Sequence, residues 1–254
     1  MLKVETLTKS FGGVTAVSDV TFEVTKGTIH AVIGPNGAGK TTLFNLITGV
    51  YRPSSGSIRF EGQEIGGEAP EKLAALGMSR TFQNLQISMN LSAIENVMTG
   101  AHLGLNSSVV AGLLGLASFG GREKATRIRA AEAMEFVGCG AYIGAEARSM
   151  PYGALKRLEI ARALMANPRI LFLDEPAAGL NHTETHEIED LIAQLGKTGV
   201  TVVLVEHDMK LVMNVSDRIV VLDYGKKLAE GTPAEIRVNP DVVAAYLGAE
   251  SEGV

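Results

Sequence analysis

The amino-acid sequence predicts an α/β fold in which helices cover a parallel sheet and a helical segment interrupts it. Three observations predict this fold: an alternating apolar pattern in the first 25 residues, a glycine-rich segment between a predicted strand and a predicted helix, and two nearly continuous apolar runs in the last third. Such runs are typical of strands that are covered on both faces. Strands that alternate with helices indicate a parallel sheet.

The composition is that of a chain able to form a hydrophobic core. The 254 residues include 23 Lys and Arg against 28 Asp and Glu, a formal net charge of −5, and 46% are hydrophobic. This composition excludes a disordered chain. The mild acidity disfavours a general nucleic-acid binder, so no nucleic-acid partner is expected. The one cysteine, Cys139, excludes an internal disulfide framework, and the first residues lack the apolar segment of a secretory signal.

The N-terminal part of the chain predicts strands first and then a helix. Apolar residues alternate on both sides of a Phe-Gly-Gly turn at 11–13, which predicts two strands. A strand over 28–33 runs into glycine-rich sequence, and a helix over 41–48 ends at Gly49. A turn over 53–56 then leads into a short strand over 57–60.

The middle of the chain, about 91–164, is predicted to be mostly helical because apolar residues recur every three or four positions. Strands are predicted over 170–173 and 200–205, with a helix between them whose apolar face consists of Ile188, Leu191, Ile192 and Leu195. The prediction is therefore one domain with a core of about 1–90 and 165–254 and a helical subdomain of about 91–164. The apolar run 109–119 is shorter than the about 20 residues of a membrane-spanning helix. It is either a buried helix or a docking groove for a membrane partner.

The segment 34–41 matches the phosphate-binding pattern Gly-x4-Gly-Lys-Thr. Glycines let successive backbone N–H groups point at phosphate oxygens. Lys40 supplies a point charge for the β- and γ-phosphates, and Thr41 offers a hydroxyl to Mg²⁺. The helix that begins here directs the positive end of its dipole at the anion. The candidate nucleotide-binding residues of this segment are Gly34, Pro35, Asn36, Gly37, Ala38, Gly39, Lys40 and Thr41.

Two carboxylates, Asp174 and Glu175, follow the apolar run 170–173. Ligands of open α/β sheets bind at this edge of the sheet. Asp174 is suited to hold Mg²⁺ through its water shell, and Glu175 can polarise an attacking water. Considered separately, the segment could equally be an acidic turn after a core strand. His207, after the next predicted strand, either contacts a γ-phosphate or is a structural or solvated histidine. Gln83 either reaches the metal or the water or faces solvent.

Taken in chain order, these motifs resemble the ATPase subunit of an ABC transporter. The resemblance rests on the loop 34–42, Gln83, a Met-Pro-Tyr-Gly-Ala signature at 150–154, Asp174 with Glu175, the segment 178–181 and His207. It implies a P-loop NTPase with a RecA-like parallel sheet core, an N-terminal antiparallel β-subdomain and an inserted helical subdomain. It also implies ATP hydrolysis, with ATP and Mg²⁺ as cofactors.

The resemblance implies a role for each matching residue. Phe11 stacks on the adenine and Val17 packs beside the base. Thr42, together with Lys40 and Thr41, contacts the phosphates and Mg²⁺. The resemblance further implies that Gln83 contacts Mg²⁺ and the transport subunit, that Glu175 acts as the general base, and that His207 contacts the γ-phosphate. It also implies that Tyr152 and Gly153 belong to the signature, which completes the site of a second chain.

Within that family, the segments 80–83, 152–162 and 175–181 and the tail 230–248 resemble the branched-chain amino-acid importer group, although urea and amide importers share much of this sequence. The resemblance implies two polytopic permease subunits, a second ATPase chain, and indirectly a periplasmic or extracellular binding protein. It places the chain peripherally on the cytoplasmic face of the membrane. Pro151 stands where the common signature has serine, so the second ATPase chain is either another copy of this chain or, as the asymmetric-pair hypothesis has it, a different ATPase with the better signature.

Two other functional classes stay open on the sequence. A non-transport ABC ATPase usually carries tandem cassettes or a long coiled coil, and neither pattern is present in these residues. A small-molecule P-loop kinase needs neither Gln83 nor His207, and no acceptor site or lid is evident.

Overall fold

The computed structural model describes residues 1–101 and 118–251, so the predicted apolar helix or groove at 109–119 falls outside the residues whose side chains it describes. The chain divides into two compact units: one comprises Met1–Arg80 and the chain from Arg169 onward, and the other spans Thr81–Pro168. Within the described residues, none of the helices is long and apolar enough to cross a membrane.

The first unit contains ten strands and six helices among the described residues. The strands are β1 Leu2–Phe11, β2 Val14–Val24, β3 Ile29–Ile33, β4 Ser55–Phe60, β5 Gln63–Glu64, β6 Met78–Arg80, β7 Ile170–Asp174, β8 Thr201–Val205, β9 Arg218–Asp223 and β10 Lys226–Gly231. The helices of this unit are α1 Lys40–Ile47, α2 Pro70–Ala75, α6 His182–Lys197, α7 Met209–Val215, α8 Pro233–Arg237 and α9 Pro240–Ser251. The second unit contributes α3 Ala93–Thr99, α4 Ser118–Phe136 and α5 Tyr152–Leu164.

The strands form two sheets. One has four strands in the order β2-β1-β4-β5, and its neighbours are all antiparallel. The other has six strands in the order β10-β9-β3-β8-β7-β6; it is parallel except that β10 runs antiparallel to β9. Every residue of β3, β7 and β8 is buried, as the apolar runs predict. The predicted parallel core and N-terminal antiparallel sheet are confirmed.

The structure contains four strands that the sequence did not predict: β5, β6, β9 and β10. β5 and β6 have two and three residues, too few to show a periodic pattern. A single hydrophobic cluster joins both sheets through α1, and Leu7, Phe44, Phe60 and Phe172 belong to it. The rings of Phe44 and Phe172 meet edge to face, with centroids 5.5 Å apart, which fixes α1 against β7.

The sequence predicts that residues 81–90 belong to the core, but in the structure they fall in the second unit. Hydrogen bonds attach them to α3: Ser88 N donates to Asn96 Oδ1 over 2.8 Å, and Asn96 Nδ2 donates to Ser88 O over 3.0 Å. The helix begins with a capping box between Ser92 and Glu95. Asn96 is buried, and its amide completes the backbone hydrogen bonding of a segment that lacks regular structure.

Candidate nucleotide site

The phosphate-binding loop lies between the end of β3 and the start of α1, as the motif requires. Gly34 and Gly39 have φ angles of 151° and 96°. A Cβ on Gly34 would overlap the carbonyl oxygen of Leu222, and one on Gly39 would lie 2.5 Å from that of Ala16. These two positions therefore require glycine both for their backbone conformation and for the close approach of neighbouring strands.

Lys40, the first residue of α1, is buried and points its ammonium into the loop. Its Nζ donates to the carbonyl oxygens of Gly34 over 2.6 Å and of Pro35 over 3.0 Å. Burial lowers the pKa of Lys40, while the negative charge of Glu175 raises it. An ammonium carries three N–H groups, so one more donor can serve a phosphate oxygen beside these two.

Backbone hydrogen bonds hold the loop against both sheets. Ala38 N donates to Pro35 O over 3.1 Å, which closes a turn inside the loop. Gly225 N, in the turn between β9 and β10, donates to Ala38 O over 3.1 Å, and Ser18 N of β2 donates to Gly225 O over 2.7 Å. The turn therefore links the loop to the antiparallel sheet, which limits the movement of the loop.

The carboxylates lie where β7 ends. Asp174 is its last residue and is buried, and Arg80 Nη2 donates to Asp174 Oδ2 over 2.6 Å. Glu175 follows with φ of 48°, and its backbone N donates to Val205 O over 2.9 Å. His207 Nδ1 lies 3.9 Å from Glu175 Oε2, and its side chain is 64% exposed. The structure therefore brings Glu175 and His207 together at the ends of neighbouring strands.

Glu206, beside His207, is a buried carboxylate that the sequence reasoning did not select. It accepts hydrogen bonds from the backbone N–H groups of Ala177 over 2.8 Å and of His207 over 3.0 Å. Burial raises the pKa of Glu206, and these N–H groups lower it. Glu206 therefore connects the loop after β7, which contains Glu175, with the loop after β8, which contains His207. An acidic residue directly after an apolar strand is the signal that could have found it.

The two residues expected beside an adenine differ in exposure. Phe11 is 43% exposed, and its ring meets that of Tyr51 edge to face with centroids 5.3 Å apart. Lys9 Nζ lies 4.9 Å from the Phe11 centroid. Val17 has no exposed surface and belongs to the hydrophobic core. It can support the strand but offers no face to a base, so Phe11 and Tyr51 form the available aromatic surface.

The second unit holds Gln83 and the signature. Gln83 is exposed in the segment that follows β6. Pro151 precedes α5, whose first residue Tyr152 is 45% exposed and whose second, Gly153, is buried. The backbone N–H groups in the first turn of a helix have no partner within the helix and can donate hydrogen bonds to an anion.

Charged side chains on one side of α5, of which Lys156 and Glu159 are buried, hold the Gln83 segment. Lys156 Nζ donates to Gln83 O over 2.9 Å, and Gln86 N donates to Glu159 Oε1 over 3.4 Å. Arg162 forms an ion pair with Glu159 over 3.3 Å and also contacts the Gln86 carbonyl. Burial raises the pKa of Glu159 and lowers that of Arg162. Within the second unit, the signature helix and the Gln83 segment are therefore connected.

The donors near the loop suit a magnesium ion carried by a nucleotide. Among the described residues, no group of three or more His, Cys, Asp or Glu side chains could hold a metal by itself. Mg²⁺ prefers oxygen donors and is usually held by one or two carboxylates together with substrate phosphates. The carboxylate of Asp174 and the hydroxyl of Thr41 are donors of this kind.

Comparison with known proteins gives the family. A family model described as ABC transporter matches residues 17–178. The chain belongs to the ABC transporter ATPases. A second model, described as branched-chain amino acid ATP-binding cassette transporter, matches residues 226–252 of this ABC ATPase.

Two relatives match this ABC ATPase over nearly its whole length. It is 48% identical to the high-affinity branched-chain amino acid transport ATP-binding protein BraF of Pseudomonas aeruginosa, over 98% of both chains. It is 45% identical to LivG of Escherichia coli, a protein described in the same words, again over 98% of both chains. The ADP conformation of MJ1267, an ATP-binding cassette of an ABC transporter, is 31% identical with a TM-score of 0.85 over 98% of both chains. The fold is therefore that of an ATP-binding cassette.

Proposed function

We propose that this ABC ATPase powers the import of branched-chain or related amino acids through separate permease subunits. The observation that carries the proposal is the loop of residues 34–41, with buried Lys40, in the same compact unit as Asp174 and Glu175. The substrate class rests on the relatives BraF and LivG, which are both described as branched-chain amino acid transport proteins, and on the family match over 226–252.

The loop would bind the triphosphate of ATP. Backbone N–H groups between Gly34 and Thr42 would face phosphate oxygens, and Lys40 would neutralise the β- and γ-phosphates. Phe11, beside Tyr51, would stack on the adenine. Thr41 and Asp174 would hold Mg²⁺, which when bound would neutralise charge on the phosphates.

Glu175 would act as the general base. Its carboxylate would orient a water in line with the γ-phosphate and take up the proton of that water. His207, 3.9 Å from Glu175, would donate to the γ-phosphate from the neighbouring strand end. Lys40 would stabilise the charge that develops on the transferred group.

A second ATPase chain would complete the site. The first turn of α5, with Tyr152 and Gly153, would face the nucleotide bound by that partner, and the partner's signature would face the nucleotide bound here. When the two ATPase chains close on ATP, Gln83 would transmit the movement to the two permease subunits. A periplasmic or extracellular binding protein would deliver the substrate to these subunits. Because it serves permeases, the chain would act at the cytoplasmic face of the membrane as a peripheral subunit.

The loop assignment is tested with the Lys40→Ala variant. Removal of the ammonium should weaken ATP binding in the presence of Mg²⁺ by more than tenfold, because a charge-assisted contact to the phosphates is lost. Isothermal titration calorimetry measures the affinity, and Lys197→Ala, at an exposed lysine at the end of α6, serves as the matched control. Wild-type affinity in the Lys40→Ala variant would refute the proposed site.

The substrate is tested by uptake. A strain that lacks the gene for this chain should take up less labelled leucine, and a plasmid copy of the wild-type chain should restore it. A plasmid copy carrying Lys40→Ala should not. Loss of labelled urea uptake with normal leucine uptake would instead indicate a urea or amide importer.

A further inference from the structure

Arg80 has been given no role in the nucleotide site proposed above. It is the last residue of β6, and its side chain is 9% exposed. Its Nη2 donates to Oδ2 of Asp174 over 2.6 Å, and the Asp174 side chain is 6% exposed. A buried carboxylate with this partner has its charge compensated by a planar, permanently charged donor.

The other arm of the same guanidinium reaches the helix that follows the phosphate-binding loop. Arg80 Nη1 donates to Asn45 Oδ1 and to Thr48 Oγ1, each over 2.7 Å. Thr48 Oγ1 itself donates to Phe44 O over 2.7 Å, which orients the hydroxyl so that it can accept from Arg80. Arg80 thereby connects the Asp174 carboxylate to α1 by a fork with fixed geometry.

We propose that Arg80 is a positioning residue that holds Asp174 in the orientation required for Mg²⁺ and so sets the metal affinity of the site. The proposal rests on the nucleotide-binding function proposed above. Partners that orient a metal-binding carboxylate typically raise metal affinity 10–100-fold. A second effect of Arg80 has the opposite sign, since its positive charge repels a divalent cation. Two variants separate these effects.

Arg80→Lys keeps the charge but replaces the fork with a single point donor, whereas Arg80→Met removes the charge and keeps much of the length. If Arg80 positions Asp174, Arg80→Lys weakens metal binding by about tenfold, and Arg80→Met also weakens it but by less, because the loss of the positive charge offsets part of the effect. If Arg80 acts only through its charge, Arg80→Lys leaves the affinity unchanged and Arg80→Met tightens it.

The measurement uses Mn²⁺ as a spectroscopic probe in place of Mg²⁺. The full chain is saturated with ADP, and electron paramagnetic resonance of free Mn²⁺ gives the metal affinity. Affinity for ADP in the presence of EDTA should stay within twofold of wild type in both variants, because the hydrogen bonds of Arg80 described above go to Asp174, Asn45 and Thr48 and not to the residues proposed to bind phosphate.

The matched control is Arg169→Lys. Arg169 precedes the opposite end of β7, where it pairs with Glu61 and donates to Leu76 O over 2.9 Å. Its replacement removes a comparable fork at the end of β7 that lies away from Asp174, and the Mn²⁺ affinity should remain that of wild type.

Unchanged Mn²⁺ affinity in Arg80→Lys, or tighter binding in Arg80→Met, would overturn the proposal. Circular dichroism reports whether each variant folds. If Arg80→Met does not fold, Thr48→Val removes one acceptor of the same guanidinium with little change of shape, and a two- to fivefold weaker Mn²⁺ affinity is expected; no weakening would contradict the proposal. A wild-type chain that binds ADP in neither condition would refute the proposed function itself and not the role of Arg80.

Discussion

Glu175 shows how a single residue depends on the strand beside it. Its φ of 48° is a costly conformation for a residue with a side chain. The hydrogen bond from Glu175 N to Val205 O, on the neighbouring strand, stabilises this conformation. The turn places the carboxylate beside His207, so the orientation of the proposed general base is determined by backbone pairing.

Replacement of Glu175 by glutamine should separate binding from turnover. The amide keeps the size of the side chain but cannot accept a proton, so we expect steady-state ATP hydrolysis to fall by at least 100-fold. Nucleotide affinity should stay within a few-fold of wild type, since Lys40 and the loop are unchanged. Phosphate release measures turnover and fluorescent nucleotide titration measures affinity.

The control for this substitution is Glu23→Gln, at an exposed position on β2. It changes the same chemical group away from the proposed site and should hydrolyse ATP at the wild-type rate. Wild-type turnover in the Glu175→Gln variant would exclude Glu175 as the base.

At the scale of the element, β3 carries a titratable side chain in the core. His30 is buried, and its Nε2 accepts a hydrogen bond from Thr25 N over 3.3 Å. The pKa of His30 is lowered to about 4; burial is the main cause, and the charge of Arg218 contributes to the lowering. The strand that leads into the phosphate-binding loop therefore contains a neutral imidazole.

This histidine should make the stability of the chain depend on pH. Between about pH 6.5 and 4 the unfolded chain binds the proton and the folded chain does not, so stability falls as the pH falls. From pH 7 to pH 5 the His30 contribution amounts to about 2 kcal/mol. His30→Gln should reduce the loss of unfolding free energy between these pH values, as measured by urea denaturation. The same loss in both proteins would show that His30 does not titrate in this way.

The segment 81–86 illustrates a second element whose position depends on distant residues. It follows β6 and has no regular structure, yet Lys156 and Arg162 of α5 bind its carbonyl groups. Because both donors are on the signature helix, a shift of α5 would be transmitted to the backbone of Gln83. This connection gives a physical route between the signature and the proposed permease contact.

At the scale of the whole molecule, the signature predicts cooperation between unlike chains. Pro151 has no backbone N–H and no hydroxyl, and no side-chain hydrogen bond caps α5. The anion contacts available to a partner's nucleotide are therefore reduced to the first turn of the helix. A second ATPase whose signature contains serine would supply the stronger half of a mixed pair.

We expect the purified chain to hydrolyse ATP several-fold more slowly than the complex with a second, different ATPase, compared at equal total ATPase concentration. Pro151→Ser should raise the rate of the isolated chain because it restores an N–H and a hydroxyl to the signature. The rate of phosphate release is measured for the isolated chain, for the Pro151→Ser variant and for the complex with the second ATPase. Equal rates for the isolated chain and the complex would rule out the asymmetric pair.

The sequence by itself determined the fold class, the phosphate-binding loop and the carboxylates at the end of β7. These features follow from local patterns: the periods of strands and helices, the geometry that glycines permit, and the rule that sheet ligands bind at the carboxyl ends of strands. Lys40, Asp174 and Glu175 could be selected because each lies at a predicted junction between elements.

Only the tertiary structure decided the contacts that join distant parts of the chain. It placed Val17 in the core, paired Arg80 with Asp174 across 94 positions, and used Glu206 to bind the loop after β7. It also set the order of the strands and the antiparallel direction of β10. Such contacts depend on strand register and packing, which involve residues far apart in sequence and leave no periodic pattern in either segment.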